Sequence, residues 1–290
     1  MRFDFGGVKQ FLIYLNGQIP LGHVLDHPAY KTVSHHAQMF GGGITAQDVA
    51  NALAGNPSPF YGLKRLRDHL PRITALLDLL DERQAEWCAT LEAELLYLFP
   101  GEPLNITIYP ILGYDMGIGL DGLVCMNINC AAYLDAPLEF LFYALHECVH
   151  VIYERSHRIP PLAQVNSSAE WRSYFNVWTQ NEGFAVYAPL RLREKLGSLS
   201  ERDYQVLFDA PQMETHRLAY WHAQERLLEE IPLQRDEYLE ICFGDMRLTY
   251  RLGCELFRRI ESTYGLTAVR RALMLDGDDF IKRYQHLLND

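Results

Sequence analysis

The sequence predicts an α+β protein, mostly helical, with a small β-sheet near its middle. Three observations carry this. Apolar residues recur at helical spacing, framed by capping signals, on both sides of a short β-rich stretch. That stretch, residues 105–112, alternates and is β-branched, and a second candidate strand follows at 122–128. A segment from 137 to about 155 is apolar on nearly all sides and reads as a central buried helix.

The elements follow in order. Asp26 before His27-Pro28 gives an N-cap with proline in the first turn, and Gly41-Gly42-Gly43 stops that helix. The glycine run lacks the Lys-Ser/Thr of a phosphate loop, so it reads as a stop. Thr45 and Asp48 form a capping box for a helix ending at Gly55. Helical patterns at about 59–69 and 71–98 end at Phe99-Pro100-Gly101. Pro110 places the first strand at a sheet edge or near a strand end. The buried helix stops at Ile159-Pro160-Pro161. Ser167 with Glu170 then caps a helix holding Trp171, Phe175 and Trp178. Gly197 is a further stop, and Ser198 with Glu201 caps the next helix. Helical patterns at about 211–230 and 246–263 precede Gly265 and a last helical segment. The organisation expected is a helical N-terminal region, 1–101, and a core over 102–290. The core divides into the sheet with its buried helix (102–158) and a helical lobe (159–290).

Composition limits the function classes. The 290 residues suggest about two domains. With 26 Lys+Arg against 37 Asp+Glu the net charge is −11, which argues against a nucleic-acid backbone and against an anionic membrane surface as partner. At 49% hydrophobic and 22% charged residues, the chain is neither disordered nor fibrous. The six cysteines form no Cys-x-x-Cys pair and sit mostly in apolar stretches, as buried thiols do in a reducing compartment. The start has no signal-peptide core and the longest apolar run is too short to span a bilayer, so a cytoplasmic protein is expected.

The chemistry lies in His146-Glu147-Cys148-Val149-His150. Histidines four apart on a helix are only about 40° apart around its axis, so both imidazoles can grip one Zn²⁺. Glu147, beside the first ligand, then stands next to the zinc-bound water as its base. Two imidazoles and a carboxylate in an otherwise apolar helix would be costly without a metal or partners. Cys148 points away from the metal face and reads as a packing thiol.

A third ligand is needed. A histidine ligand six residues after His150 would fall on Ser156, and His157 is one residue late. Glu182 in Asn181-Glu-Gly-Phe-Ala-Val-Tyr187 is the favoured candidate, in a helical, aromatic-rich segment. Gly183 and Ala185 there would let its helix pack closely on the His-Glu-x-x-His helix. Glu170 is the rival, already accounted for by its capping box. His35 and His36 fall on different helix faces and read as surface residues, and Arg258-Arg259 and Arg270-Arg271 as solvated faces.

His-Glu-x-x-His followed by Asn-Glu-Gly-x-Ala-x-Tyr resembles the gluzincins, zinc peptidases whose third ligand is a glutamate on a later helix. Tyr250-Arg-Leu-Gly253 resembles the Tyr-x-x-Gly helix of their aminopeptidase/leukotriene-hydrolase branch. The resemblance covers about 103–285. It implies a zincin-like core, a peptide or protein substrate, and Tyr250 as hydroxyl donor to the oxyanion, with Tyr187 as the other candidate. That branch also carries a Gly-x-Met-Glu-Asn strand whose glutamate holds a free amine. Here the nearest match, Gly122-Leu-Val-Cys-Met-Asn127, has no glutamate before Asn127, so what remains resembles small predicted bacterial zinc peptidases. The resemblance further implies an edge strand that pairs with extended substrate, expected at 122–128. Two other readings stand beside the peptidase: a zinc-stabilised binding or regulatory protein, and a hydrolase of a non-peptide bond.

Overall fold

A computed structural model of the chain describes residues 1–60, 63–228 and 235–289. It parts the chain into two compact units, Met1–Glu154 and Arg155–Asp290. Among the described residues no helix is long and apolar enough to cross a membrane.

The first unit opens with β1 (Arg2–Phe3), α1 (Gly6–Leu15), α2 (Leu21–Leu25), α3 (Pro28–Met39) and α4 (Ala46–Ala54). The N-cap of α3 is His27, whose Nδ1 accepts the Ala29 N–H at 3.3 Å; Asp26 instead closes α2. The Thr45/Asp48 capping box forms as expected, and Gly55 ends α4 in a left-handed conformation. Of the helix expected at 59–69, Tyr61 and Gly62 lie outside the described residues. Beyond them, α5 (Leu66–Leu98) runs through Pro71 without a break. The proline sits near the helix start, where it removes one backbone bond and leaves the long apolar face downstream intact.

β2 (Thr107–Ile111), β3 (Gly117–Leu120) and β4 (Leu123–Asn127) complete a four-stranded sheet in the order β1-β2-β4-β3. β1, β2 and β4 are parallel, and β3 runs antiparallel to β4. One expectation changes here. The strand at 122–128 is interior, held between β2 and β3, and the edges are β1 and β3. Pro110 lies near the end of β2, one of the two places expected for it, and beyond Phe3, where β1 has ended. The β3–β4 hairpin turns on Asp121 and Gly122 (φ 54° and 79°), the Asp-Gly pair that a two-residue turn favours.

After α6 (Ala131–Asp135) comes α7 (Leu138–Tyr153), the buried helix expected from the sequence. It packs on β3, β4, α5 and α6. Phe140, Phe142, Leu145 and Val149 are fully buried, each contributing about 1.5–3 kcal/mol by leaving water. Because α5 also packs on α7 and on β1, the N-terminal helices and the sheet share one core.

The second unit is helical: α8 (Ser168–Tyr187), α9 (Leu190–Leu196), α10 (Arg202–Leu207), α11 (Ala210–Arg226), α12 (Arg235–Phe243), α13 (Leu248–Tyr264), α14 (Leu266–Leu273) and α15 (Gly277–Tyr284). The end of the pattern expected at 211–230 lies outside the described residues. Ser167 and Glu170 make their capping box at the start of α8. Ser198 is not the N-cap of α10, which is Glu201; its N–H bonds the Arg193 carbonyl at the end of α9, and its own carbonyl accepts from the Arg193 side chain. Its axis is α8 against α13, with α15 packed on α8. Arg258 and Arg259 are not a solvated face; both bond the buried Glu255, at 3.0 and 2.6 Å.

Candidate metal centre

In the first unit α7 presents His146, Glu147 and His150, only 8, 6 and 9% exposed. Their Nε2 atoms, His146 to His150, are 3.1 Å apart. One proton between two neutral imidazoles gives that spacing as a hydrogen bond; a shared cation gives it too. Cys148 is fully buried, and burial pushes its thiol up out of the reactive range, as a packing residue requires. At the end of α7, burial pushes the Glu154 carboxyl up to about 7 against the opposing pull of His150, and its Oε2 accepts the Asp121 N–H at 3.3 Å.

Strand β3 forms a wall along this face. A Cβ on Gly117 would lie 2.8 Å from the Glu147 Cγ and Oε1, and one on Gly119 would lie 2.0 Å from the Glu147 carbonyl oxygen. Ile118 and Leu120 alternate to the other face and are buried. The loop entering β3 carries Gly113 and Tyr114 at φ 87° and 72°. Buried Asn127 clamps it: Oδ1 accepts from Gly113 N at 3.0 Å, Nδ2 donates to the Tyr114 carbonyl at 3.2 Å, and its backbone N–H donates to Met116 at 2.9 Å. Tyr133 Oη donates to the same Met116 carbonyl at 3.2 Å. Sequence reasoning missed this wall, although the alternating glycines of Gly117-Ile-Gly-Leu120 were its signal.

In the second unit Glu182 lies buried on α8, 6% exposed. Gly183 beside it packs against Gly253 of α13, so the close approach it permits within this unit is to the Tyr-x-x-Gly helix. Glu170 is occupied at the helix start, accepting from Asn166 N and Ser167 N, both at 2.9 Å. His157 donates from Nε2 to the Leu275 carbonyl at 3.0 Å. The Tyr187 hydroxyl donates to Glu261 at 2.7 Å, and five residues from Glu182 put it roughly 140° away around the helix. Tyr250 is partly exposed under the Arg247 guanidinium, 3.6 Å from its ring centroid. Arg247 and buried Arg251 both donate to buried Asp203, each with a contact of 2.9 Å. Arg251 also donates to His216 Nε2, whose Nδ1–H is given to the Gln212 carbonyl at 2.7 Å.

One ligand atom from each of His146, His150 and Glu182 lies within 4.8 Å of the other two. Two imidazoles and a carboxylate at this spacing can hold a divalent metal ion. No family model, curated protein or solved structure matches the chain.

Proposed function

We propose that this protein is a zinc-dependent hydrolase, a metallopeptidase with a zincin-like core of the gluzincin type. His146, His150 and Glu182 would hold the ion, and the grouping of their ligand atoms is the observation that carries the reading. Two histidines and a glutamate are a donor set of catalytic zinc. The 3.1 Å between the two Nε2 atoms fits as well, since nitrogen ligands on ~2.0–2.1 Å bonds around a tetrahedral ion lie roughly 3.3 Å apart. Bound there, zinc supplies a Lewis acid for a carbonyl and draws the pKa of water down toward about 7.

The other roles fall to the chain. Glu147 takes a proton from the attacking water and passes it to the leaving amine. Tyr250 donates its hydroxyl to the oxyanion, since the Tyr187 hydroxyl is already given to Glu261. The substrate is a peptide or protein segment in extended form. Among the described residues β3 pairs only with β4, which leaves an edge beside Glu147 where such a segment can add backbone hydrogen bonds. The six cysteines, all free thiols, suit the cytoplasm.

Glu147→Gln tests the reading. The variant keeps about one zinc per chain while cleavage of a mixed peptide library falls by about a thousandfold or more. Unchanged turnover would overturn the mechanism.

A further inference from the structure

The glycine at the start of β3 has a use that its place in a sheet does not explain. A strand interior gains nothing from glycine, which costs conformational entropy and has no side chain to pack. At Gly119 the reason is the backbone of α7: a Cβ there would sit 2.0 Å from the Glu147 carbonyl oxygen and 3.1 Å from the His150 Cβ. At Gly117 the reason is different. Its missing Cβ is replaced by the side chain of Glu147, with Cγ and Oε1 at 2.8 Å and Cδ at 3.0 Å from that position. The carboxylate therefore occupies the volume of the absent side chain. Gly117 cannot drift away from it, because the loop before it is clamped by Asn127 and Tyr133, and β4 pairs Met126 opposite Gly117.

We propose that Gly117 is a positioning residue for Glu147: the bare start of β3 fixes the carboxylate in one place, while Gly119 serves only the packing of strand on helix. The inference rests on the reading of Glu147 as general base. The two glycines make its test internal. In Gly117→Ala the new methyl meets the Glu147 side chain from Cγ to Oε1 and no main-chain atom as close, so the fold survives and the carboxylate moves. In Gly119→Ala the methyl meets main chain, so the fold itself gives way.

Gly117→Ala lowers kcat about a hundredfold, the scale expected for a displacement near 1 Å, with KM within about twofold. Its zinc content stays at one per chain and its melting temperature within about 3 °C of the wild type. Gly119→Ala loses far more in melting temperature. A Gly117→Ala variant with wild-type kcat overturns the proposal. So does one that loses stability and zinc in step with Gly119→Ala. If the wild type cleaves no peptide, or Glu147→Gln cleaves as well as the wild type, the peptidase reading fails on its own. A crystal structure of Gly117→Ala then decides the positioning claim separately: an unmoved Glu147 carboxylate overturns it, and a displaced carboxylate on an unmoved α7 backbone upholds it.

Discussion

A Cβ on Gly183 would lie 2.2 Å from the Cα of Gly253, so α8 and α13 cross with their backbones in contact. The crossing fixes the register of the two helices in the second unit. Glu182 directly precedes it on α8, and Tyr250 lies one turn before it on α13. In Gly253→Ala the methyl would meet the Thr179 carbonyl oxygen at 1.9 Å. Either glycine-to-alanine change costs about 3 kcal/mol or more, because neither backbone has room to retreat. Urea denaturation measures this directly. A wild-type midpoint for both variants would show that the helices do not cross there.

The third metal ligand separates two glutamates on one helix. Glu182→Gln lowers zinc content well below one per chain, and so does His146→Ala. Glu170→Gln keeps the zinc and weakens only the start of α8, by about 1 kcal/mol, because its carboxylate caps Asn166 and Ser167. Elemental analysis after gel filtration reads the first effect and thermal melting the second. Stripping the metal with a chelator lowers the melting temperature of the wild type and leaves that of Glu182→Gln nearly unchanged.

The two tyrosines divide in the same way. Tyr187→Phe removes a hydrogen bond to Glu261 and costs about 1–2 kcal/mol of stability, with little effect on kcat. Tyr250→Phe lowers kcat by about a hundredfold. Steady-state kinetics beside thermal melts check both. The opposite pattern would hand the donor role to Tyr187.

His27 gives the first unit a pH dependence of known sign. Burial lowers its pKa from the usual imidazole value, with the Asp4 carboxylate pulling partly the other way. Its Nδ1 must stay unprotonated to accept the Ala29 N–H. The folded state thus binds this proton less readily than the unfolded chain. The stabilisation is complete above about pH 6.5 and is lost as the pH falls through the lower, folded-state pKa. Melting temperatures from about pH 7 to about pH 5 should fall more steeply for the wild type than for His27→Asn, which keeps a capping acceptor and does not titrate. Equal slopes would remove His27 from the account.

The parts legible in the sequence are those whose signals are local. The all-apolar run gave α7, and Ser-x-x-Glu at 167–170 and Thr-x-x-Asp at 45–48 gave their helix starts because each capping box closes within four residues. The two histidines shared a face because helix geometry requires it. Strands β1 and β3 escaped notice because two to four residues are too few to show a period. Asp121-Gly122 was a hairpin signal, yet the glycine reads equally well as the first residue of a strand. Gly183 announced a close approach without naming its partner, since a missing side chain fits any helix backbone. The joining of Asp203 to Arg247 and Arg251 spans more than forty residues and leaves no local trace.

Strand β1 carries a consequence for how the chain is made. Arg2 and Phe3 pair with Thr107 and Ile108, partners that leave the ribosome about a hundred residues later. At roughly 5–20 residues per second the first strand waits on the order of 5–20 s for the strand it joins. Through that interval the early helices have no sheet to settle on, and contacts of such long sequence separation form slowly even once the chain is complete. A fragment cut off at residue 101 would carry α1 to α5 and no template, and its apolar faces would find each other, or a neighbouring chain, instead.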